Sequence, residues 1–378
     1  MEQKNKILLT IRQGKIGGGE THVLQIAEHH DRSKYAVFVL SFTEGEMVDR
    51  LKQIGIPCYV IKTTKPFDVR VWKKVQKLVK ELKIDIIHAH GTRAMSNSFW
   101  AAKSLAKPLI YTVHGWSFHK TDSPFVYRLK TKIERFLTKR SNTTICVSKS
   151  NQLQAKKEFL LKNSVVIQNG IDVEKYTPYA SYKNLRKALG IHQNKTIVIY
   201  ISRLTKQKDP LNMIQSMKYV LDTSKNIMLL IVGDGELRNA CEQLVSKLNL
   251  KDQIQFLGFR NDISSLLNTS DIYCLPSLWE GLPIGLLEAM SMKKPCITTA
   301  VDGTKEIIKH NYNGLIVMSG NPKQLSEQIL FLHSNVSLRN KLAANARETI
   351  EKQYSIETMI QKLDQVYSKL SLQQKIVT

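Results

Sequence analysis

The sequence predicts an α/β protein of two domains, each a parallel sheet covered on both faces by helices. Three observations carry this. The chain has 378 residues, enough for two domains of ordinary size that each bury a core. Both halves alternate short apolar runs with longer amphipathic ones, the pattern of repeated βαβ units. Between the halves, Tyr176–Asn184 is polar and turn-rich, as a linker is.

Taken in order, Lys6–Ile11 is strand-like, Gly17-Gly18-Gly19-Glu20 is a turn, and Thr21–His30 has helical spacing. Tyr35–Phe42 and Ile56–Ile61 read as strands. Val69–Leu82 repeats apolar residues at helical intervals, and Asp85–His90 is a further strand. Helices over Asn97–Ala106 and Phe125–Lys139 flank a strand at Leu109–Val113. Thr143–Val147 and Val165–Gln168 close the first half. The second half gives strands at Thr196–Ser202, Ile227–Val232, Ile254–Leu257, Asp271–Leu275, Cys296–Thr299 and Leu315–Val317. Helical patterns over Pro322–Leu332, Val336–Tyr354 and Ile356–Leu370 end the chain. The domains are expected at 1–175 and 176–355. In such sheets ligands collect at the carboxyl ends of the strands.

Composition narrows the function. No run of 18 or more apolar residues occurs, so no membrane-spanning helix is expected. The start, MEQKNKILLTIRQGK, reads as a first strand and not as a signal peptide. The five cysteines are scattered singly, the usage of reduced cysteines in a cytoplasmic protein, with no metal-ligand spacing. Net charge is +24, and most of the excess lies in the first half. In Lys120–Arg140 the cations are interleaved with Phe125, Tyr127, Leu129, Ile133 and Phe136. A basic helix of this kind can lie on an anionic membrane surface, or be only a solvated face. Nucleic acid is not expected as a partner: no helix-turn-helix, zinc-finger or RNP-like stretch accompanies the charge.

Several strand ends carry chemistry. Ser277–Met292, SLWEGLPIGLLEAMSM, holds Glu280 and Glu288 with seven residues between them, around the turn Gly281-Leu282-Pro283-Ile284-Gly285. It reads as strand, tight loop and helix start, with Pro283 in the first helical turn and Glu288 about two turns on. The amides of such a helix start attract phosphate. The two glutamates can present to different parts of one elongated ligand, or be one helix-leading and one exposed residue. Arg203 and Lys208 lie five residues apart on one loop and can clamp a diphosphate, the first as a planar fork and the second as a point charge. Gly17–Gly19 would allow backbone amides close to a phosphate. His88, His90 and His114 fall at strand ends, but no carboxylate or cysteine cluster completes a metal site.

The run EGLPIGLLEAM resembles the E-x7-E motif of retaining GT-B glycosyltransferases of family four. Other stretches agree. Ser202–Asp209 resembles the family's GRL-x-x-x-K-G element, with Ser202 and Asp209 in place of its glycines. Val232–Glu236 matches its GDG turn, and Asn169-Gly170-Ile171-Asp172 its domain-exit segment. In Asp302–Glu306, Asp302 stands where the family often has a first glycine. The resemblance implies two Rossmann-like domains facing across a cleft, with the last helix, about 356–378, packing back on the first domain. It implies a nucleotide-diphosphate sugar as donor substrate, no cofactor and no metal. Gly17 and Gly18 would lie at the donor phosphate and Arg203 and Lys208 at the diphosphate. Phe259 and Arg260 would border the nucleobase. Pro283, Ile284 and Gly285 would offer amides to the leaving phosphate. Glu288 would hold ribose, Glu280 the sugar, and His114 the groups beside the anomeric carbon, with His90 and His119 as weaker, acceptor-side candidates.

The function expected is transfer, with retention, of a hexose or N-acetylhexosamine to a saccharide acceptor. A lipid-linked acceptor in cell-surface polysaccharide synthesis, at the inner face of the plasma membrane, would account for the basic first half. A nucleotide-sugar epimerase or phosphorylase on the same fold, and a basic nucleic-acid-binding protein, are the competing readings.

Overall fold

In the computed structural model, which describes residues 4–119, 122–183 and 185–377, the chain divides into two compact units, Met1–Asn169 with Ile356–Thr378, and Gly170–Ser355.

The first unit runs β1 (Asn5–Ile11), α1 (Gly18–His29), β2 (Tyr35–Ser41), α2 (Glu46–Gln53), β3 (Cys58–Val60), α3 (Val69–Glu81), β4 (Ile86–His90), α4 (Thr92–Ser104), β5 (Leu109–Val113), α5 (Pro124–Thr138), β6 (Thr143–Cys146), α6 (Lys149–Phe159) and β7 (Ser164–Val166). Its sheet has seven strands in the order β3-β2-β1-β4-β5-β6-β7, all parallel. The direction of winding reverses between β1 and β4, where Ile11 pairs with His90. Successive residues of β1 enter different cores: Ile7, Leu9 and Ile11 join α1, while Leu8 joins Val75, Val79, Met95 and Phe99 of α3 and α4. A strand buried on both faces reads as one continuous apolar run, which is why it was legible.

The second unit runs α7 (Leu185–Ala188), β8 (Thr196–Ile201), α8 (Pro210–Thr223), β9 (Ile227–Val232), α9 (Arg238–Lys247), β10 (Ile254–Gly258), α10 (Ile263–Thr269), β11 (Ile272–Leu275), α11 (Ile284–Ser291), β12 (Cys296–Thr299), α12 (Thr304–Ile307), β13 (Leu315–Val317), α13 (Pro322–Ser334) and α14 (Val336–Gln353). Its six strands are ordered β10-β9-β8-β11-β12-β13, again parallel. Here the winding reverses between β8 and β11, which places the loops after these two strands side by side. The last helix, α15 (Ile356–Val377), belongs to the first unit. It packs on α1 and β4, sending Met359, Leu363 and Tyr367 into the core beneath β1. Its Asp364 accepts from the Tyr35 hydroxyl.

Three expectations are corrected. Helix α4 begins at Thr92, five residues before Asn97. Ser96 and Asn97, polar residues of its second turn, are buried and bond the backbone of the loop before α3 at Phe67, Asp68 and Lys65. Pro283 lies just outside α11, in extended conformation, and Glu288 is the fifth residue of that helix, little more than one turn in. Tyr176 is no loose linker residue. Its ring is buried, and its carbonyl accepts from Arg347 at 2.7 Å and Ser291 at 2.6 Å.

Candidate active site

In the second unit, the loop after β8 carries Arg203, exposed, and Lys208, at the end of a 3-10 turn. Asp209 follows with φ +50, the left-handed conformation that the family's glycine would adopt freely. Asp is among the few other residues that tolerate it. The loop after β11 is bound to this one: Leu278 N–H donates to the Gln207 carbonyl at 2.8 Å, and the Gln207 amide donates to the Trp279 carbonyl at 3.0 Å. Lys208 Nζ then reaches the Glu280 carboxylate, which also accepts from Ser277 Oγ at 2.6 Å. Glu280 is 5% exposed, so its charge is compensated inside the protein, as burial requires.

Two glycines hold these loops in place by what they lack. A Cβ on Gly303 would stand 1.8 Å from the Gly281 carbonyl oxygen, and one on Gly233 2.0 Å from that of Ser202. Only glycine allows such approach. Asp302, the departure noted in the sequence, accepts from the Glu280 backbone N–H at 3.3 Å and so supports the glutamate loop.

Glu288 is buried on α11, and its Oε1 accepts from the Tyr176 hydroxyl at 2.8 Å. Burial pushes its carboxyl above the usual range, against the Tyr176 hydrogen bond and the charge of Lys175. Pro283 and Ile284 are buried and Gly285 half-buried at the helix start. Phe259 is 47% exposed beyond β10. Arg260 beside it is tied to Asp262 by two bonds of 2.7 and 2.6 Å, so its guanidinium is committed within its own loop. The structure thus joins Lys208 to Glu280, sets Pro283–Glu288 on the same loop and helix, and leaves Phe259 and Arg260 in the loop after the outer strand β10.

In the first unit, Gly17 precedes α1 and Gly18 opens it, exposed. A Cβ on Gly19 would meet the His114 ring at 3.3 Å, so the glycine loop packs directly on this histidine. His114 Nε2 and His90 Nδ1 hydrogen-bond at 3.2 Å. His90 stacks near His88, whose Nδ1 meets the Tyr367 hydroxyl and whose Nε2 meets Thr112 Oγ1, each at 2.7 Å. His22 of α1 sets its ring edge-on to His114, centroids 5.0 Å apart. Burial pushes all four imidazoles down, His22 to about 4 and the others well below the ordinary value. They are neutral near pH 7 and act as hydrogen-bonding groups. His22 was missed. It is buried in α1 together with Glu20 and Gln25 among apolar neighbours, and the sequence pattern did not single it out. His119 lies further along the loop after β5, its backbone N–H on Asp122. No group of three or more His, Cys, Asp or Glu side chains among the described residues is arranged to hold a metal ion.

Two other features of the first unit bear on function. A cavity of about 510 Å³ opens at the carboxyl ends of β2 and β3, lined by Phe42, Thr43, Glu44, Lys62–Lys65 and Arg70. Helix α5 has an outer face on which Phe125, Leu129 and Phe136 are 76%, 48% and 37% exposed, beside the exposed cations Arg128, Lys132 and Arg135. Its inner face buries Glu134, which accepts from Thr92, Tyr111 and Ser117 hydroxyls at 2.7, 2.9 and 2.6 Å.

Comparison with known proteins agrees with this architecture. The description "Glycosyl transferases group 1" matches residues 181–349, and "Glycosyltransferase Family 4" matches residues 16–175. An Escherichia coli UDP-Gal:alpha-D-GlcNAc-diphosphoundecaprenol alpha-1,3-galactosyltransferase is 30% identical over 312 residues, 79% of each chain. The Bacillus anthracis N-acetyl-alpha-D-glucosaminyl L-malate synthase is 27% identical over 351 residues, 91% of this chain and 90% of that one. The Anabaena protein HepE, crystallised with UDP-glucose, superposes with a TM-score of 0.86 at 25% identity, covering 96% of this chain and 99% of its own. The chain belongs to the family-four glycosyltransferases and has their GT-B fold.

Proposed function

We propose that this enzyme transfers a hexose or N-acetylhexosamine, with retention of anomeric configuration, from a nucleotide-diphosphate sugar to a saccharide carried on a lipid diphosphate. The observation that carries the donor half is the Lys208–Glu280 pair at the winding reversal of the second unit, beside the start of α11. Arg203, Lys208 and the Ile284 and Gly285 amides face the leaving diphosphate and stabilise its growing charge, the role a metal ion plays in other transferases. Glu288, oriented by Tyr176, takes the ribose hydroxyls, and Glu280 a sugar hydroxyl. In the first unit, His114 donates to or accepts from groups beside the anomeric carbon, backed by Gly17–Gly19. The neutral histidine is no nucleophile here, and attack proceeds on the face that the diphosphate leaves, with the departing phosphate taking the acceptor's proton.

The acceptor half rests on three supports. The E. coli relative is named for a diphosphoundecaprenol acceptor. The cavity beside Lys62 and Lys65 gives room for a saccharide at the strand ends. The outer face of α5 pairs exposed aromatics with cations, the chemistry of an anionic bilayer surface. The reading places the enzyme at the cytoplasmic face of the membrane, in cell-surface polysaccharide synthesis. Incubating it with UDP-sugars and a diphospholipid-linked acceptor tests this. The expected product is an α-linked sugar from an α-configured donor, identified by NMR of the new anomeric proton. An inverted product overturns the mechanism, and transfer only to water-soluble acceptors overturns the lipid-linked reading.

A further inference from the structure

The winding reversal of the first unit holds a pair of arginines to which the reading above gives no task. Arg12 directly follows β1, and Arg93 lies in the first turn of α4, three residues beyond His90. Because Ile11 and His90 are paired neighbours in the sheet, both arginines rise from the same point of the strand ends. Glu20, 1% exposed, sits 3.3 Å from Arg12 Nε. Its charge opposes that of the arginines, and the nearby His22, His90 and His114 are neutral. Arg93 is half-buried, and among the described residues its guanidinium makes no ion pair within 4.0 Å. Burial and the positive charge of Arg12 both press its pKa down, with Glu20 opposing. Withdrawing a guanidinium from water beside a second one is unfavourable unless an anion completes the site.

We propose that Arg12 and Arg93, on the ends of neighbouring strands, form a phosphate-binding subsite in the first unit. Two planar donors on neighbouring strand ends suit the paired oxygens of a phosphate or diphosphate, which guanidinium recognises in bidentate fashion. The subsite's role in turnover rests on the transferase reading, but its binding of phosphate does not. Two substrates bring such a group, the nucleotide sugar and a diphosphate-linked acceptor.

The test uses the full-length enzyme, Arg93→Gln and Arg93→Lys, with matching melting temperatures as the check on folding. Inorganic pyrophosphate is the probe, and hydrogen–deuterium exchange reads residues 12–20 and 91–97 separately from 203–209. The expected result is pyrophosphate protection of the first two segments in the wild type, lost in Arg93→Gln and partly kept in Arg93→Lys, while protection of 203–209 is unchanged. Absence of protection at 12–20 and 91–97 in the wild type, or protection that survives Arg93→Gln, overturns the proposal. Kinetics then assign the source. A tenfold or greater rise in KM for the diphosphate-linked acceptor alone, absent with the same saccharide on a neutral carrier, assigns the subsite to the acceptor. A comparable rise in donor KM alone assigns it to the nucleotide sugar. Failure to find any transfer leaves the exchange result standing and counts against the transferase reading only.

Discussion

Lys208 and Glu280 are 72 residues apart in sequence, yet they form one buried ion pair that joins the loop after β8 to the loop after β11. The proposed diphosphate clamp and the proposed sugar-facing glutamate are thus coupled, and neither can be altered alone. Lys208→Ala leaves Glu280 buried with only Ser277 as partner. Truncating one member of such a pair is expected to destabilise the fold by about 3 kcal/mol, and losing the charge opposite the leaving group should lower kcat by about 100-fold. Urea denaturation and steady-state kinetics check this. A Lys208→Ala enzyme of wild-type stability contradicts the coupling.

Tyr176 and Glu288 make a second pairing with a separate consequence. Tyr176→Phe removes the donor to a buried carboxylate, an expected loss of about 1–3 kcal/mol. Because the hydroxyl orients Glu288, the proposed ribose-binding group, donor KM should rise while kcat changes less. An unchanged KM would show that Tyr176 serves stability alone.

His90 is expected to act through His114. With His114 Nε2 engaged by His90, only Nδ1 remains for a substrate. His114→Ala should lower kcat by about 100-fold, the ordinary contribution of a positioned histidine. His90→Gln should lower kcat by less with little change in donor KM, and imidazole 15N NMR should show His114 losing its single tautomer. A His90→Gln enzyme with wild-type kcat removes His90 from the account.

The histidine cluster also sets a pH dependence. Burial holds His22 near pKa 4, below the unfolded value of about 6.5. A histidine depressed in this way is protonated more readily in the unfolded chain. Its contribution is complete above pH 6.5 and is lost as pH falls from there toward 4. For His22 alone that loss is about 3 kcal/mol. His88, His90 and His114 act in the same direction. Glu134, raised by burial, acts in the opposite sense. Denaturation at pH 7.5 and pH 5 should show the folded state weakening at the lower pH, less so in His22→Gln. Equal stability at both values contradicts the burial of this cluster.

The outer face of α5 makes a simpler prediction. Wild-type enzyme should float with liposomes containing anionic lipid at low salt and release as salt rises. Phe125→Glu with Leu129→Glu should abolish flotation without altering the melting temperature. Neither residue contributes to the buried core.

The strands were legible because both sheets are buried on both faces, so Ile227–Val232 reads as an uninterrupted apolar run and β1 as one broken inside only by the buried Thr10. The loops of the second unit were legible through motif spacing, and the structure explains how the departures fit: Asp209 takes the left-handed turn and Asp302 bonds the Glu280 amide. Helices α2 and α6 went unread. The sequence KSNQLQAKKEF of α6 is mostly polar, and only Asn151, Ala155 and Phe159 are buried. The start of α4 and His22 went unread for a different reason. Ser96, Asn97 and His22 are polar side chains buried against residues distant in sequence, which periodicity does not report. Arg12 and Arg93 are ordinary surface arginines until the pairing of Ile11 with His90 brings them together.

The central claim is that the second unit binds a nucleotide-diphosphate sugar through the loops around Lys208, Glu280 and Glu288. The most direct measurement is thermal stabilisation of wild-type enzyme and Glu288→Ala by a panel of nucleotide sugars. A ligand that binds only the native state at 100 times its Kd adds about 2.7 kcal/mol. The account predicts a clear rise in Tm for one donor, which names base and sugar together, and loss of most of that rise in Glu288→Ala at the same concentration. Equal stabilisation of both proteins, or none of the wild type by any donor that supports transfer, would contradict it.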